Sequence, residues 1–427
     1  MSKLALFGGA PIRCKPFPAW PVFDGLEERA LLEVLHSGRW WSGTQAYHDS
    51  PGGQHPSKVA EFESKFAAFH GAEFGLACAS GTAALEVSLK AAGIGPGDEV
   101  IVPPYTFLAT ASAPLLLGAI PVFCDIEPDT FNLDPACVEA AITSRTKAII
   151  PVHFAGLSAD MDRLLAIARK HGLFVLEDAA HAHGGRSGEK HLGTLGGAGI
   201  FSFQASKNMT AGEGGMILTS DPHHAEICNS YIWAGRQIGQ PWYEHYRLGW
   251  NYRLTEFQAA ILIEQLRRLP EQTKTRMENG LRLNRLLTEI PGIHPLAIPS
   301  WATTHPFHIY IFRLDAAVFG MAREDFLIAL QSEGIPCSGG YSQPLYRNPM
   351  FRENAFHGNG QPLTPPGSRI DFSQYQQLCP RAEQACREAV WIEHRVLLAG
   401  EKDVEDIPRA ILKIYEQRHA FRDGVGQ

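Results

Sequence analysis

Between residues 58 and 220 the chain alternates short runs of Val, Ile and Leu with amphipathic helical stretches, and this rhythm limits the fold more than any other feature. Helical spacing marks 58–70, 81–92, 106–117, 134–142 and 160–171, while 99–103, 121–124, 148–152 and 173–177 read as strands. Apart from Glu99 and Glu177 at their ends, the strand runs are continuously apolar rather than alternating, as strands are when helices cover both faces of a parallel sheet. The pattern predicts an α/β domain on a mostly parallel sheet. In such sheets ligands bind beyond the carboxyl ends of the strands. Pro104, Asp125, His153 and Asp178 fall there.

A long helical stretch over 255–289 leads to Pro291-Gly-Ile-His-Pro295, a candidate domain joint. Beyond it, 309–313 reads as a strand and 323–332 and 404–417 as helices, so we expect a large domain over 1–290, including the N-terminal segment, and a smaller α+β C-terminal domain over 291–427. Residues 338–380 are rich in Gly, Pro, Gln and Tyr and read as irregular loops. The balance of 38 basic against 45 acidic residues gives a net charge of −7. That balance leaves no nucleic-acid footprint. No stretch is long enough to span a membrane, and the opening residues lack a signal-like pattern. Eight scattered cysteines without a Cys-x-x-Cys pair read as reduced thiols of a cytoplasmic protein. No His-Glu-x-x-His spacing indicates a metal.

One lysine stands out. Lys207 lies between the apolar run at 200–203 and a glycine-rich turn at 212–215, flanks expected to lie deep in the fold. An ammonium there is costly unless it is used, and a lysine amine that loses its proton can bond to a carbonyl. Taken alone, a solvated surface lysine is the commoner explanation. Ser80-Gly81-Thr82 places small residues and hydroxyls at a helix start, where free N–H groups suit a phosphate; a simple Ser cap is the alternative. Asp178 follows a buried strand and can pair with a protonated pyridine nitrogen, with His181 near the ring oxygen; a capping Asp and loop histidines are the alternative. Phe107 can stack on a flat ring or simply pack in the core.

Together these residues occur in order at successive strand ends, and here the chain resembles the DegT/StrS family of aminotransferases, of the aspartate-aminotransferase fold (fold type I). The resemblance runs from Gly38 to about Ile407. It rests on Gly95-Pro-Gly-Asp-Glu-Val-Ile-Val-Pro103, Glu177-Asp-Ala-Ala-His181, Phe201-Ser-Phe203 through Lys207, Glu213-Gly-Gly215 and Asn251-Tyr-Arg253-Leu-Thr255. It implies pyridoxal 5'-phosphate as cofactor, with Lys207 as the Schiff-base lysine and Asp178 as partner of the pyridine nitrogen. It further implies Phe107 as the stacking aromatic, Gly81 and Thr82 as the phosphate cradle, Ser202 as a further phosphate ligand and His181 beside the ring. Asn251 matches an asparagine that members offer to the phosphate from the neighbouring subunit, which implies a homodimer. Lys207 argues against the branch that carries histidine there and dehydrates sugars.

The chain departs from the family in places. Many sugar-acting members have glutamine at His181; His153-Phe-Ala-Gly156 lacks a usual Leu-Tyr pair; and Gly340-Tyr341 replaces a His-Tyr pair. The stretch 42–57 looks longer than the usual loop. Asp178-Ala-Ala-His-Ala-His-Gly184 and Trp391-Ile-Glu-His-Arg-Val-Leu-Leu-Ala-Gly400 resemble the branch of 3-amino-5-hydroxybenzoate synthases and cyclitol aminotransferases of antibiotic pathways. The resemblance thus implies transfer of an amino group from glutamate or glutamine to a keto-cyclitol or keto-sugar. The alternatives are an aromatising dehydratase of the benzoate-synthase type and a non-catalytic, cofactor-bearing regulator. A nicotinamide dehydrogenase is disfavoured because no Gly-x-Gly-x-x-Gly joins a first strand to a helix. Arg236, Arg253 and Arg395 are the candidates for the donor's carboxylate.

Overall fold

The computed structural model describes residues 3–41, 57–241, 243–355 and 371–419; most of the long stretch 42–57 lies outside them. Its elements in chain order begin with α1 (Gly25–Ser37), α2 (Lys58–His70), β1 (Phe74–Cys78), α3 (Gly81–Ala91), β2 (Glu99–Val102), α4 (Ala109–Leu116) and β3 (Ile120–Phe123). There follow α5 (Pro135–Ala141), β4 (Thr146–Ile149), α6 (Met161–His171), β5 (Phe174–Asp178), a small hairpin of β6 (Arg186–Ser187) and β7 (Lys190–His191), β8 (Ala198–Ser202), β9 (Gly215–Thr219), α7 (Pro222–Ile232) and α8 (Glu256–Thr288).

Seven strands form one sheet in the order β1-β9-β8-β5-β4-β2-β3. Only β9 runs against the others, pairing antiparallel with both β1 and β8. Alternate side chains enter opposite layers. Val100, Ile150, Leu176 and Ile200 pack under α3 and α4, whereas Ile101, Ile149 and Val175 pack on α6, and Phe201 and Met216 against α2 and α8. Burial on both faces is why these strands read as unbroken apolar runs. Helix starts are set locally: Ser57 and Ser80 accept the Ala60 and Ala83 N–H groups, and Thr255 forms a reciprocal capping box with Gln258. Each satisfies a donor that the helix itself cannot.

A second sheet takes the order β10 (Ile293–Pro295), β11 (Ile309–Leu314) and β12 (Ala389–Glu393), all antiparallel. Its core joins Phe312, Val390 and Ile392 to Leu283 and Leu287 of α8 and to Ile407, Ile411 and Ile414. Leu4 and Phe17, from the first residues of the chain, pack into the same cluster.

The structure departs from the pattern in several places. Helix α4 begins at Ala109 rather than 106, because Pro103 and Pro104 hold an extended backbone that delays the first turn. Strands β1, β8, β9 and β12 carry no clear periodic signal. Each is five residues long, and three of them contain a glycine. Their neighbours, rather than local propensity, make them strands.

Candidate active site

The carboxyl ends of the parallel strands open into a cavity of about 1240 Å³, closed on the far side by residues of the second sheet. Gly81, Thr82, Phe107, Asp178, His181, Ser202 and Lys207 all line it. Asn251 does not: it is exposed, bridged to Trp233, outside this cavity.

At the start of α3 the Ser80 hydroxyl accepts the Ala83 N–H (3.1 Å) and the Ser80 carbonyl accepts that of Ala84 (3.0 Å). The N–H groups of Gly81 and Thr82 remain without a partner among the described residues. A helix start with free N–H groups favours an anion. The cradle is tight. A Cβ on Gly81 would come within 2.8 Å of the Ser202 Cβ, and one on Gly215 within 2.3 Å of the Ser80 carbonyl oxygen. Glycine at both positions lets β8, β9 and α3 converge.

Asp178, buried at the end of β5, accepts the Thr110 hydroxyl at 2.9 Å and the Ala180 N–H at 3.2 Å. Burial nevertheless raises its pKa above the usual carboxylate value. Lys207 sits in the loop joining β8 to β9, half-buried, and its amine has no hydrogen-bond partner among the described residues. Desolvation brings its pKa down from 10.5 to about 8, against the opposing pull of Asp178. Removal from water penalises the charged form of an amine, and a neighbouring carboxylate only partly restores it. A carboxylate and an amine therefore face one cavity, the amine close to losing its proton. Of the flanks expected to lie deep, 200–203 and Gly214 and Gly215 are buried, whereas Gly212 and Glu213 are exposed on this chain, as are Ala205 and Ser206 beside the lysine. The loop satisfies its backbone locally, with Ser206 N–H donating to the Gln204 side chain and Gly212 N–H to the Thr210 hydroxyl.

Phe107 is 61% exposed although it lines the cavity, so it is not the core residue its chemistry would suggest. His181 is buried, with Nδ1 unpartnered, and its ring lies 4.3 Å from that of His308. Burial holds both imidazoles well below the usual histidine pKa, and the charge of Lys207 adds to the effect. Asn208 gives its Nδ2 to the Pro306 carbonyl (2.9 Å), so its Oδ1 accepts from His308 Nδ1 (3.0 Å). That bond ties the loop of Lys207 to the second sheet. His153 has another task. It accepts the Ala159 N–H and donates to Glu177 (2.8 Å), whose carboxylate also takes the N–H groups of Gly193, Leu195 and Gly196.

Pattern reading did not single out Thr110, His308 or Trp20, which also face the site. Thr110 lies in the first turn of α4 and Thr106 in the bend that precedes it. Their hydroxyls are 3.2 Å apart. Trp20 carries no local signal and arrives through tertiary packing, its Nε1 donating to the Ala205 carbonyl at 3.0 Å.

An open helix start, an exposed aromatic face, a buried carboxylate and a poised amine fit a flat, phosphorylated pyridine carrying a carbonyl. The DegT/DnrJ/EryC1/StrS aminotransferase family model matches residues 44–411. The chain is 39% identical to the 3-amino-5-hydroxybenzoate synthase of Amycolatopsis mediterranei, covering 91% of this chain and 94% of that protein. It is equally 39% identical to the L-glutamine:2-deoxy-scyllo-inosose aminotransferase of Streptomyces paromomycinus, covering 96% and 97%. Among solved structures, 3-amino-5-hydroxybenzoic acid synthase superposes with a TM-score of 0.83 at 37% identity, over 96% of this chain and all of that one. The chain belongs to the DegT/DnrJ/EryC1/StrS aminotransferases, enzymes of fold type I that depend on pyridoxal 5'-phosphate.

Proposed function

We propose that this enzyme moves the amino group of L-glutamine to a keto-cyclitol, with the residues at the strand ends taking the roles their positions suggest. Pyridoxal phosphate, when bound, supplies a reactive carbonyl and an electron-withdrawing pyridine ring. The Gly81 and Thr82 N–H groups and the Ser202 hydroxyl would hold the phosphate, and Phe107 would offer its exposed face to the ring. Asp178, steadied by Thr110, would keep a proton on the ring nitrogen. Lys207 would hold the cofactor through its amine and, with that amine free, would carry the proton at the donor's α-carbon and later at the acceptor's carbon. His181 lends a hydrogen bond beside the ring. In a cytoplasmic homodimer, Asn251 of each chain completes the phosphate site of the other; its exposure outside its own cavity supports this reading.

The observation that carries the proposal is the amine of Lys207, its pKa about 8, sharing a cavity with buried Asp178. Glutamine and the cyclitol are suggested by the named relatives, several of which are glutamine-dependent scyllo-inosose aminotransferases. The likeness to the benzoate synthase favours one competing outcome, elimination with aromatisation. Adding glutamine to the holoenzyme should bleach its visible absorbance, and a keto-cyclitol should restore it. Release of an aromatic product without consumption of glutamine would instead establish the elimination.

A further inference from the structure

We propose that Arg395 holds the α-carboxylate of the amino donor, a reading that rests on the proposed transamination and assigns its donor subsite. Sequence alone leaves three arginines open. In the structure the Arg253 guanidinium lies against the rings of Trp41 and Trp233, at 5.1 and 5.0 Å, and neither Arg253 nor Arg236 lines the cavity of its own chain, Arg253 standing two residues from Asn251 on the segment assigned to the other subunit's site. Arg395 does. The histidines of that wall, His181, His308 and His394, are held neutral by burial. Among the described residues of this chain that line the cavity, Lys207 and Arg395 are the cations, Arg395 being paired with Glu393.

Its position and orientation are both fixed. His394 Nε2 donates to the Ser206 carbonyl at 3.0 Å, so Arg395 and Lys207 each follow directly a residue of one hydrogen-bonded pair. The guanidinium is held at two points: Nη1 donates to the Pro18 carbonyl (3.1 Å) and Nε to the Glu393 carboxylate (2.5 Å). These bonds set its plane and leave Nη2 without a partner among the described residues. The side chain stays 27% exposed, within reach of a ligand. A guanidinium oriented in advance, with N–H groups to spare, recognises a carboxylate at a smaller entropic cost than a free lysine would. An amino acid has its carboxylate on the carbon that bears the amine, so an anchor beside the Lys207 loop suits the donor. A keto-cyclitol has no anionic group to use it.

The test uses the holoenzyme and the variants Arg395→Met and Arg395→Lys, with thermal midpoints confirming that each is folded. Glutaramate, the donor without its amino group, serves as an unreactive calorimetric probe. Arg395→Met should weaken glutaramate binding, and raise the glutamine concentration that half-saturates the donor half-reaction, by about 30-fold to 100-fold, the lower range for losing one partner of a charge pair. Arg395→Lys should recover part of the loss, and half-saturation by the keto-cyclitol should stay within about threefold. Unchanged glutaramate binding in folded Arg395→Met, or an equal loss for the acceptor, would overturn the assignment. A wild type that does not react with glutamine would remove the transamination reading and this assignment with it. A reactive wild type with an indifferent Arg395→Met would remove the assignment alone.

Discussion

Replacing Lys207 with methionine removes an ammonium that the cofactor-free fold holds at a cost. Burial lowers its pKa from 10.5 to about 8. At about 1.4 kcal/mol per pH unit, the gap between those values amounts to about 3 kcal/mol at most. The sign follows from which form the fold disfavours. Below about 8 the lysine is charged in both the folded and the unfolded chain, and the folded one bears the whole penalty. As the pH rises from about 8 toward 10.5 the folded lysine is already neutral while the unfolded one is still losing its proton, so the penalty fades. Cofactor-free Lys207→Met should therefore be more stable than cofactor-free wild type by up to about 3 kcal/mol near pH 7, roughly 3 to 6 °C in thermal midpoint for a chain of this size. The advantage should vanish by about pH 10.5. What the wild type gains is reactivity: near pH 7 about one amine in ten is unprotonated, some 300-fold more than for an ordinary lysine. Reductive methylation of Lys207 in the apoprotein, followed by mass spectrometry, should show a midpoint near 8. Equal stability of the two proteins at pH 7, or a difference that widens as pH rises, would refute the argument.

Phe107→Ala should leave the cofactor-free stability within about 0.5 kcal/mol of wild type, as is usual for a largely exposed side chain. It should nevertheless loosen cofactor binding in a fluorescence titration, and a large loss of apoprotein stability would contradict this. Gly81→Ala forces a Cβ to 2.8 Å from that of Ser202. The crowding should cost about 1–3 kcal/mol and weaken cofactor affinity at least about tenfold, and unchanged affinity would remove the cradle assignment. Asp178→Asn should keep the Thr110 contact but cut turnover by about 100-fold or more, so wild-type turnover would end the case for a charged partner of the ring nitrogen. Glu177→Gln turns an acceptor of four N–H groups into a side chain with two donors of its own. It should cost about 3–5 kcal/mol in denaturant unfolding, whereas a neutral effect would mean the nest is not a stabilising unit.

Much of the fold was legible because burial on both faces leaves a mark on the chain. The runs at 99–103 and 173–177 have no polar face to show, and the helices between them carry one apolar stripe each, so the type of sheet follows from composition along the chain. Strands β8 and β9 were not legible. Glycines at 199 and 215 answer to close neighbours, Gly193 and Ser80, which no local pattern reveals. For the site, Lys207, Asp178 and Phe107 could be named because each follows a recognisable strand or motif. Thr110 bonds Asp178 and His308 bonds Asn208, partners distant along the chain, and neither left a local sign of it.

Residue type and spacing were enough for the strand–helix rhythm, and the resemblance of a few motifs implied the family and the groups at the strand ends, since all of these are written along the chain. What those groups experience came from the packed molecule. Packing left Phe107 exposed to a cavity rather than buried in a core, and it set Asn251 apart from the cavity of its own chain. It put Arg395, not Arg236 or Arg253, in the wall of the chain's own cavity. It also brought the Lys207 amine down to about 8. Desolvation and field are properties of the surrounding atoms, and those atoms come from segments far apart in the chain.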